Sequence, residues 1–134
     1  MSIFRRDPRA PGRVTVQEAA ARTGHGGAAD SAVAVLLDVR EPDEWRAGHA
    51  PGAVHLPLSE LSELSGLSAG AGLTAAAHAR PLVVICRSGN RSRRAAELLA
   101  ARGADAVDVI GGMRDWAAAG LPVVDGRGGN GTVA

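Results

Sequence analysis

The fold is decided by residues 81–102, which read PLVVICRSGNRSRRAAELLAAR. Residues 81–85 are an uninterrupted apolar run of strand length, and residues 92–102 carry apolar side chains at helical spacing before Gly103. A short polar loop that begins with Cys86 separates the two segments. A strand, a loop and a helix in this order form the repeating unit of α/β proteins.

The same alternation continues on both sides of this unit. Strand-like runs are predicted at residues 14–16, 33–39, 53–56 and 107–110. Helices are predicted at residues 17–22, from Pro42 onward, and at 59–64, 74–78 and 113–119. Because residues 33–39 and 81–85 form nearly continuous apolar runs, we expect strands that are covered on both faces. The pattern therefore predicts an α/β fold with a mainly parallel, five-stranded sheet flanked by helices on both faces.

Length and composition indicate one folded domain. The chain has 134 residues, of which 46% are hydrophobic and 22% are charged. These values exclude a fully disordered chain, a collagen-like repeat and a disulfide scaffold. We predict a flexible basic arm at residues 1–13, a domain at residues 14–124 and a disordered glycine-rich tail at residues 125–134, because the tail lacks apolar side chains to bury.

The charge distribution argues against a nucleic-acid or membrane protein. Residues 1–13 hold four arginines and one aspartate, whereas the remainder holds 11 arginines and 13 acidic residues. This layout provides no broad basic face for a nucleic acid. The arm also lacks the continuous apolar stretch of a signal peptide, and no segment is long enough to span a membrane. We therefore expect a cytoplasmic protein.

Cys86 is the only cysteine, so it is either a buried core residue or a reactive thiol. It follows a predicted strand and precedes a predicted helix, and ligands bind at the carboxyl ends of parallel strands. The amino end of the helix and the side chains of Arg87 and Arg91 would stabilise a thiolate at this point. A core residue does not require the five polar or glycine residues that follow Cys86. We therefore interpret the loop as a small oxyanion cradle with a nucleophile at its base.

Several separated motifs resemble one known family. The loop CRSGNRS (86–92) is similar to the active-site loop of the single-domain rhodaneses, which are thiosulfate sulfurtransferases. LDVR (37–40), EW (44–45) and GHAPGA (48–53) resemble the first signature of that family, and GGM (111–113), Trp116 and AGLPV (119–123) resemble its last. The resemblance runs from about residue 14 to residue 124. It implies the three-layer rhodanese-like fold.

The resemblance also implies a reaction. In that family the cysteine thiolate takes the outer sulfur of a donor such as thiosulfate and passes it from a persulfide to cyanide or a thiol. Cys86 would be the nucleophile. The substrate would be bound by the other residues of the loop, namely Arg87, Ser88, Gly89, Asn90, Arg91 and Ser92. We expect no cofactor and no metal ion, because His25, His55 and His78 lack the spacing of metal ligands.

Three other functions stay open at this point. The first is a sulfur relay or interaction module whose partner is a persulfidated protein, since the same loop would serve it. The second is a phosphatase or arsenate reductase of the related superfamily, which the six-residue loop 86–91 and the single cysteine disfavour. The third is a module with an inert cysteine. The physiological donor and acceptor, the oligomeric state and the role of the arm are not determined by the sequence.

Other residues with reactive side chains receive structural interpretations. We expect Asp38, Arg40 and Glu44 to form an ion-pair network after the second strand, and His49 to act as a hydrogen-bond partner. Trp45 and Trp116 are expected to cover the faces of the sheet. The family layout further suggests that Gly111 and Gly112 allow a close approach to the catalytic loop.

Overall fold

Five parallel strands form one sheet in the order β1-β5-β4-β2-β3. The computed structural model describes residues 12–25, 33–63 and 80–134. The strands are β1 (Arg13–Val14), β2 (Val35–Asp38), β3 (Val54–His55), β4 (Leu82–Ile85) and β5 (Ala106–Val109). The predicted α/β class and the parallel five-stranded sheet are confirmed.

The described residues contain five helices, of which four lie between strands and the last follows β5. They are α1 (Val16–Arg22), α2 (Pro42–Ala47), α3 (Leu58–Glu63), α4 (Asn90–Ala101) and α5 (Gly112–Ala118). Their starts follow from local chemistry: the Thr15 side chain accepts a hydrogen bond from the amide of Glu18, and Pro42 occupies the first turn of α2. The predicted helical turns at residues 74–78 lie outside the described residues.

The core has two halves, one on each face of the sheet. Successive side chains of a strand point to opposite faces. Leu82 and Val84 accordingly pack with apolar residues of α3 and α4, while Val83 and Ile85 pack with α1 and α5. Trp116 is fully buried in the second half of the core, which confirms that it covers one face of the sheet. β4 is therefore sandwiched between helical layers, and Cys86 follows directly at its carboxyl end.

The structure departs from the predicted domain boundaries at Arg13 and at residues 125–134. Residues 1–11 of the arm lie outside the described residues, but Arg13 belongs to β1 and pairs with β5. Residues 125–134 were expected to be disordered, yet Thr132 donates its amide hydrogen to Ala47 and Gly131 donates to Val123. Backbone hydrogen bonds hold the tail against the domain, and its glycines allow the close approach that these bonds require. The prediction of disorder considered only apolar side chains and therefore missed these bonds.

No helix among residues 12–25, 33–63 and 80–134 is long and apolar enough to cross a membrane.

Candidate active site

The sulfur of Cys86 lies in a closed environment at the carboxyl edge of the central strand. The residue is only 1% exposed. The amide N–H of Gly89 donates to its Sγ at 3.1 Å, and the thiol hydrogen faces the Oγ of Ser92 at 3.4 Å. Gly89 has a φ of 105°, a left-handed conformation that glycine adopts without strain. That conformation directs its amide at the sulfur.

Three carbonyl oxygens of the loop accept hydrogen bonds from outside it. The amides of Met113 and Arg114, in the first turn of α5, donate to the carbonyls of Cys86 and Arg87 at 2.7 and 3.0 Å. The guanidinium of Arg13 donates to the carbonyl of Gly89 at 2.9 Å. The backbone of the loop is therefore anchored to two other elements of the fold.

These anchors orient the amide groups of the loop. None of the described peptide bonds is cis, and in a trans peptide the N–H points away from the carbonyl of the same unit. The N–H groups of Arg87, Ser88 and Asn90 therefore point away from the groups that hold the preceding carbonyls. With the Gly89 amide on the sulfur, the loop offers hydrogen-bond donors to an anion.

The predicted close approach of the diglycine is confirmed at Gly112. A Cβ atom at this position would collide with the carbonyl oxygen of Cys86 and lie 2.6 Å from the carbonyl carbon of Arg87. Gly112 also has a φ of 58°. A glycine here lets the first turn of α5 contact the backbone of the loop that begins with Cys86.

The six residues predicted to bind substrate fall into three groups. Gly89 and Ser92 are buried beside the sulfur. The side chains of Arg87, Ser88 and Asn90 are exposed, and Arg87 forms no ion pair with any of the described residues. Arg91 is half-buried and already paired with Glu44.

The Arg91–Glu44 pair joins α4 to α2. Nη1 and Nη2 of Arg91 donate to the two carboxylate oxygens of Glu44 at 2.6 and 2.8 Å. These hydrogen bonds lower the pKa of Glu44 from its ordinary value of 4.5 to about 2, and they raise the pKa of Arg91. Both terminal nitrogens of Arg91 thus carry a partner before any substrate arrives.

The predicted network after β2 is confirmed for Asp38 and Arg40 but not for Glu44. Asp38 and Arg40 are completely buried, and Nη2 of Arg40 donates to Oδ2 of Asp38 at 2.8 Å and to the Gly48 carbonyl at 2.6 Å. Glu44 pairs with Arg91 instead, because α2 places it opposite the first turn of α4. The ion pair of Asp38 and Arg40 therefore supports the segment that presents Glu44.

Sequence reasoning missed Asp108 and Arg13. The Oγ of Ser92 donates to Oδ2 of Asp108 at 3.0 Å, and Arg13 pairs with the same carboxylate. The available signal was the acidic residue within the otherwise apolar run 107–110. A buried acid requires a partner, and the sequence does not say which arginine supplies it.

Trp45 does not cover the sheet as expected. It stacks on His49 and His55, with ring centroids 3.6 and 4.6 Å apart. His49 Nδ1 lies 2.7 Å from the carbonyl of Trp45, which confirms its interpretation as a hydrogen-bond partner. Among residues 12–25, 33–63 and 80–134, no three histidine, cysteine or acidic side chains converge as metal ligands do.

Several known proteins are similar to this chain. The model of the family "Rhodanese-like domain" matches residues 15–119. A Bacillus subtilis (strain 168) protein named "Putative sulfur carrier protein YrkF" is 35% identical over 82 residues, which are 60% of this chain and 40% of that protein. A Zea mays protein named "Adenylyltransferase and sulfurtransferase MOCS3-2" is 42% identical over 84 residues, which are 61% of this chain and 17% of that protein.

Two solved structures are similar as well. A rhodanese-related protein from Thermoplasma volcanium is 37% identical, with a TM-score of 0.58 and coverage of 69% of this chain and 84% of that one. A Rhodopseudomonas palustris CGA009 protein of unknown function, described as a possible tyrosine phosphatase, is 25% identical, with a TM-score of 0.69 and coverage of 84% of each chain. The chain spans less than half the length of the two curated relatives. The names of those two relatives refer to a sulfur carrier and a sulfurtransferase.

Proposed function

The chain belongs to the rhodanese-like domain family, and we propose that it transfers a sulfane sulfur through a persulfide on Cys86. The donor is an anion such as thiosulfate, and the acceptor is thiophilic, such as cyanide or a thiol. The observation that carries this proposal is the hydrogen bond from the Gly89 amide to Sγ, in a loop whose carbonyls are held by other elements.

The reaction has two half-reactions. The thiolate of Cys86 attacks the outer sulfur of thiosulfate and forms a new S–S bond, while the S–S bond of the donor breaks and sulfite leaves with its electron pair. In the second step, cyanide or a thiolate attacks the terminal sulfur of the persulfide. Cys86 then leaves as a thiolate, and the product is thiocyanate or an acceptor persulfide.

The loop stabilises the negative sulfur in both steps. The Gly89 amide already contacts Sγ. The amides of Arg87, Ser88 and Asn90 would donate hydrogen bonds to the anionic donor in the first step and to the terminal persulfide sulfur in the second. Donors that are fixed before the reaction stabilise developing charge without further rearrangement. The mechanism therefore requires no metal ion and no organic cofactor.

Arg87 is the best candidate to hold the sulfonate end of the donor. Its side chain is exposed and unpaired among the described residues, and Arg114, whose amide is bonded to the Arg87 carbonyl, is also exposed. Arg91 lies nearby, but Glu44 occupies its two terminal nitrogens and balances its charge. An anionic donor fits this surface better than a neutral one.

Intact mass spectrometry tests the proposal. After incubation with thiosulfate, the protein should gain the mass of one sulfur atom, and cyanide should remove that mass and release thiocyanate. Sulfate, which has no transferable sulfur, is the matched chemical control, and Cys86→Ser should remain unmodified in both. An unmodified wild-type mass without thiocyanate formation would refute the proposal.

A sulfur relay is the second candidate, favoured by the names of the two curated relatives. In that case a persulfidated protein would load Cys86 much faster than thiosulfate does at equal concentration. The same experiment run with both donors decides between them. Hydrolysis of an aryl phosphate that is lost in Cys86→Ser would instead support the phosphatase alternative.

A further inference from the structure

Arg13 and Asp108 form an ion pair beneath the catalytic loop. They are direct register partners on β1 and β5. Nε and Nη2 of Arg13 donate to the two oxygens of Asp108 at 2.9 and 3.1 Å. The side chain of Asp108 is 2% exposed, whereas that of Arg13 is 36% exposed. The carboxylate is therefore enclosed, and the guanidinium is its cationic partner.

Asp108 also holds a group that faces the sulfur, and Arg13 holds the Gly89–Asn90 peptide unit, which adjoins the other such group. Nη2 of Arg13 donates to the carbonyl of Gly89, whose own amide donates to Sγ. Oδ2 of Asp108 accepts the hydroxyl hydrogen of Ser92, whose Oγ lies 3.4 Å from Sγ. Among the described residues the sulfur has two polar contacts: Ser92 is held by the ion pair, and the Gly89 amide adjoins a peptide unit that Arg13 holds.

We propose that Arg13 and Asp108 are positioning residues that set the ionisation of Cys86 through Gly89 and Ser92. This inference rests on the proposed function, in which Cys86 reacts as a thiolate. Neither side chain hydrogen-bonds the sulfur itself. Asp108 fixes the direction of the Ser92 hydroxyl, and Arg13 both neutralises Asp108 and orients the Gly89–Asn90 peptide unit, which fixes the conformation of Gly89.

The charges of the two residues act on the sulfur in opposite directions. A carboxylate two hydrogen bonds away from a thiolate disfavours it, and the guanidinium beside that carboxylate cancels this effect. The pKa of Arg13 is raised, chiefly by its hydrogen bond to Asp108 and in smaller part by the charge of Cys86. The charge of Cys86 also contributes in smaller part to the raised pKa of Arg91 of α4, but the positive charge of Arg91 is balanced by Glu44 of α2. Arg87, in the loop itself, adds a positive charge that all the variants below share.

The pH dependence of Cys86 alkylation by iodoacetamide tests the proposal without any sulfur donor. Asp108→Asn leaves Arg13 charged and unpaired, so the pH of the half-maximal rate should fall. Arg13→Gln leaves the Asp108 carboxylate uncompensated, so that pH should rise. Each shift should be about half a unit to one unit, or roughly threefold to tenfold in rate below the midpoint.

Further variants separate this role from a merely structural one. Arg13→Lys keeps the charge and should restore the wild-type midpoint, and the double variant Arg13→Gln/Asp108→Asn should lie close to it. Arg22→Gln removes an exposed ion pair with Glu18 on α1 and is the matched control that should shift nothing. If Asp108→Asn does not fold, the comparison of Arg13→Gln with Arg13→Lys decides the question.

Two results would overturn the inference. One is a midpoint that stays at the wild-type value in both single variants, and the other is a shift of the same sign in both. Failure of the proposed function is a separate observation, since it would appear as a wild-type protein that takes no sulfur from thiosulfate or from a persulfidated protein.

Discussion

Arg91 and Glu44 form a two-point ion pair that joins α4, the helix after the Cys86 loop, to the segment after β2. The two residues are separated by 47 positions in the sequence, and their contacts are 2.6 and 2.8 Å long. Two parallel hydrogen bonds fix the plane of the guanidinium as well as its position. The first turn of α4 is therefore held from both sides, by Glu44 at Arg91 and by Asp108 at Ser92.

This ion pair makes stability depend on pH in acid. The folded pKa of Glu44, about 2, lies below its ordinary value of 4.5, so the folded state binds fewer protons than the unfolded chain in this window. The stabilisation is fully present above pH 4.5 and is lost as the pH falls through about 2. Glu44→Gln should lower the free energy of unfolding by about 1 kcal/mol at neutral pH, since Arg91 is partly exposed.

Urea unfolding of wild type and Glu44→Gln at a series of pH values measures this effect. The difference in the free energy of unfolding between the two proteins should shrink as the pH falls from 4.5 to about 2 and should vanish below that range. Glu18→Gln, which breaks an exposed pair on α1, is the control and should cost less than about 0.5 kcal/mol. A difference between wild type and Glu44→Gln that is constant with pH would contradict the assignment.

Gly112→Ala should destabilise the protein and impair sulfur loading. The new Cβ would meet the carbonyls of Cys86 and Arg87, so either α5 or the loop has to move. Gly120→Ala is the matched control, since Gly120 has a φ of 80° but nothing within 4 Å of a Cβ. Both variants incur the left-handed penalty of about 1 kcal/mol, and overpacking adds about 1–3 kcal/mol for Gly112→Ala alone. If both variants lost the same free energy of unfolding in urea and Gly112→Ala still accepted sulfur at the wild-type rate, the close contact between Gly112 and the loop would be unimportant.

Arg40→Ala should cost about 3–5 kcal/mol, because it leaves the Asp38 carboxylate buried without a cation. Arg22→Ala, which removes an exposed pair, should cost less than about 0.5 kcal/mol. The double variant Asp38→Asn/Arg40→Met removes both charges and should recover much of the loss. Denaturation curves of the three variants test this ranking, and a cost for Arg40→Ala close to that of Arg22→Ala would be the contrary result.

Gly48→Ala should displace the tail at residues 125–134. Gly48 has an extended backbone with a φ of 177°, so alanine fits its conformation, but a Cβ would collide with the carbonyl oxygen of Thr132. Hydrogen exchange should show faster exchange at the Thr132 amide, which is bonded to Ala47 in the wild type. Gly126→Ala is the control, since its Cβ would lie 3.7 Å from the nearest atom, an ordinary contact. Protection of Thr132 that survives Gly48→Ala would mean that the tail packs in another way.

The central features of the site were predictable because they are local in the sequence. A buried strand, Cys86, a glycine-containing turn and a helix follow one another, and the chain direction alone places the thiol at the carboxyl edge. The buried ion pair of Asp38 and Arg40 was also predictable, since the two residues are only two positions apart in the sequence.

The supports of the site were not predictable in the same way. Arg13 and Asp108 are 95 positions apart, and their pairing depends on β1 lying beside β5. Glu44 was predicted to join the network of Asp38 and Arg40 but pairs with Arg91. Its partner depends on where α2 lies relative to α4, which the sequence does not specify. The tail was misjudged because its interactions are made by backbone groups, which amino-acid composition does not reveal.

Because α5 and β1 anchor the loop carbonyls, the reactivity that we propose for Cys86 depends on parts of the fold outside the loop. A synthetic peptide with the sequence of residues 86–92 would contain every atom of the loop but none of the groups that turn its peptide planes. If the same seven residues were grafted between another strand and helix, we expect their cysteine to react as an ordinary thiol. The graft would also need groups equivalent to the Arg13 guanidinium and to the first turn of α5. The chemistry of this cysteine is a property of the assembled fold.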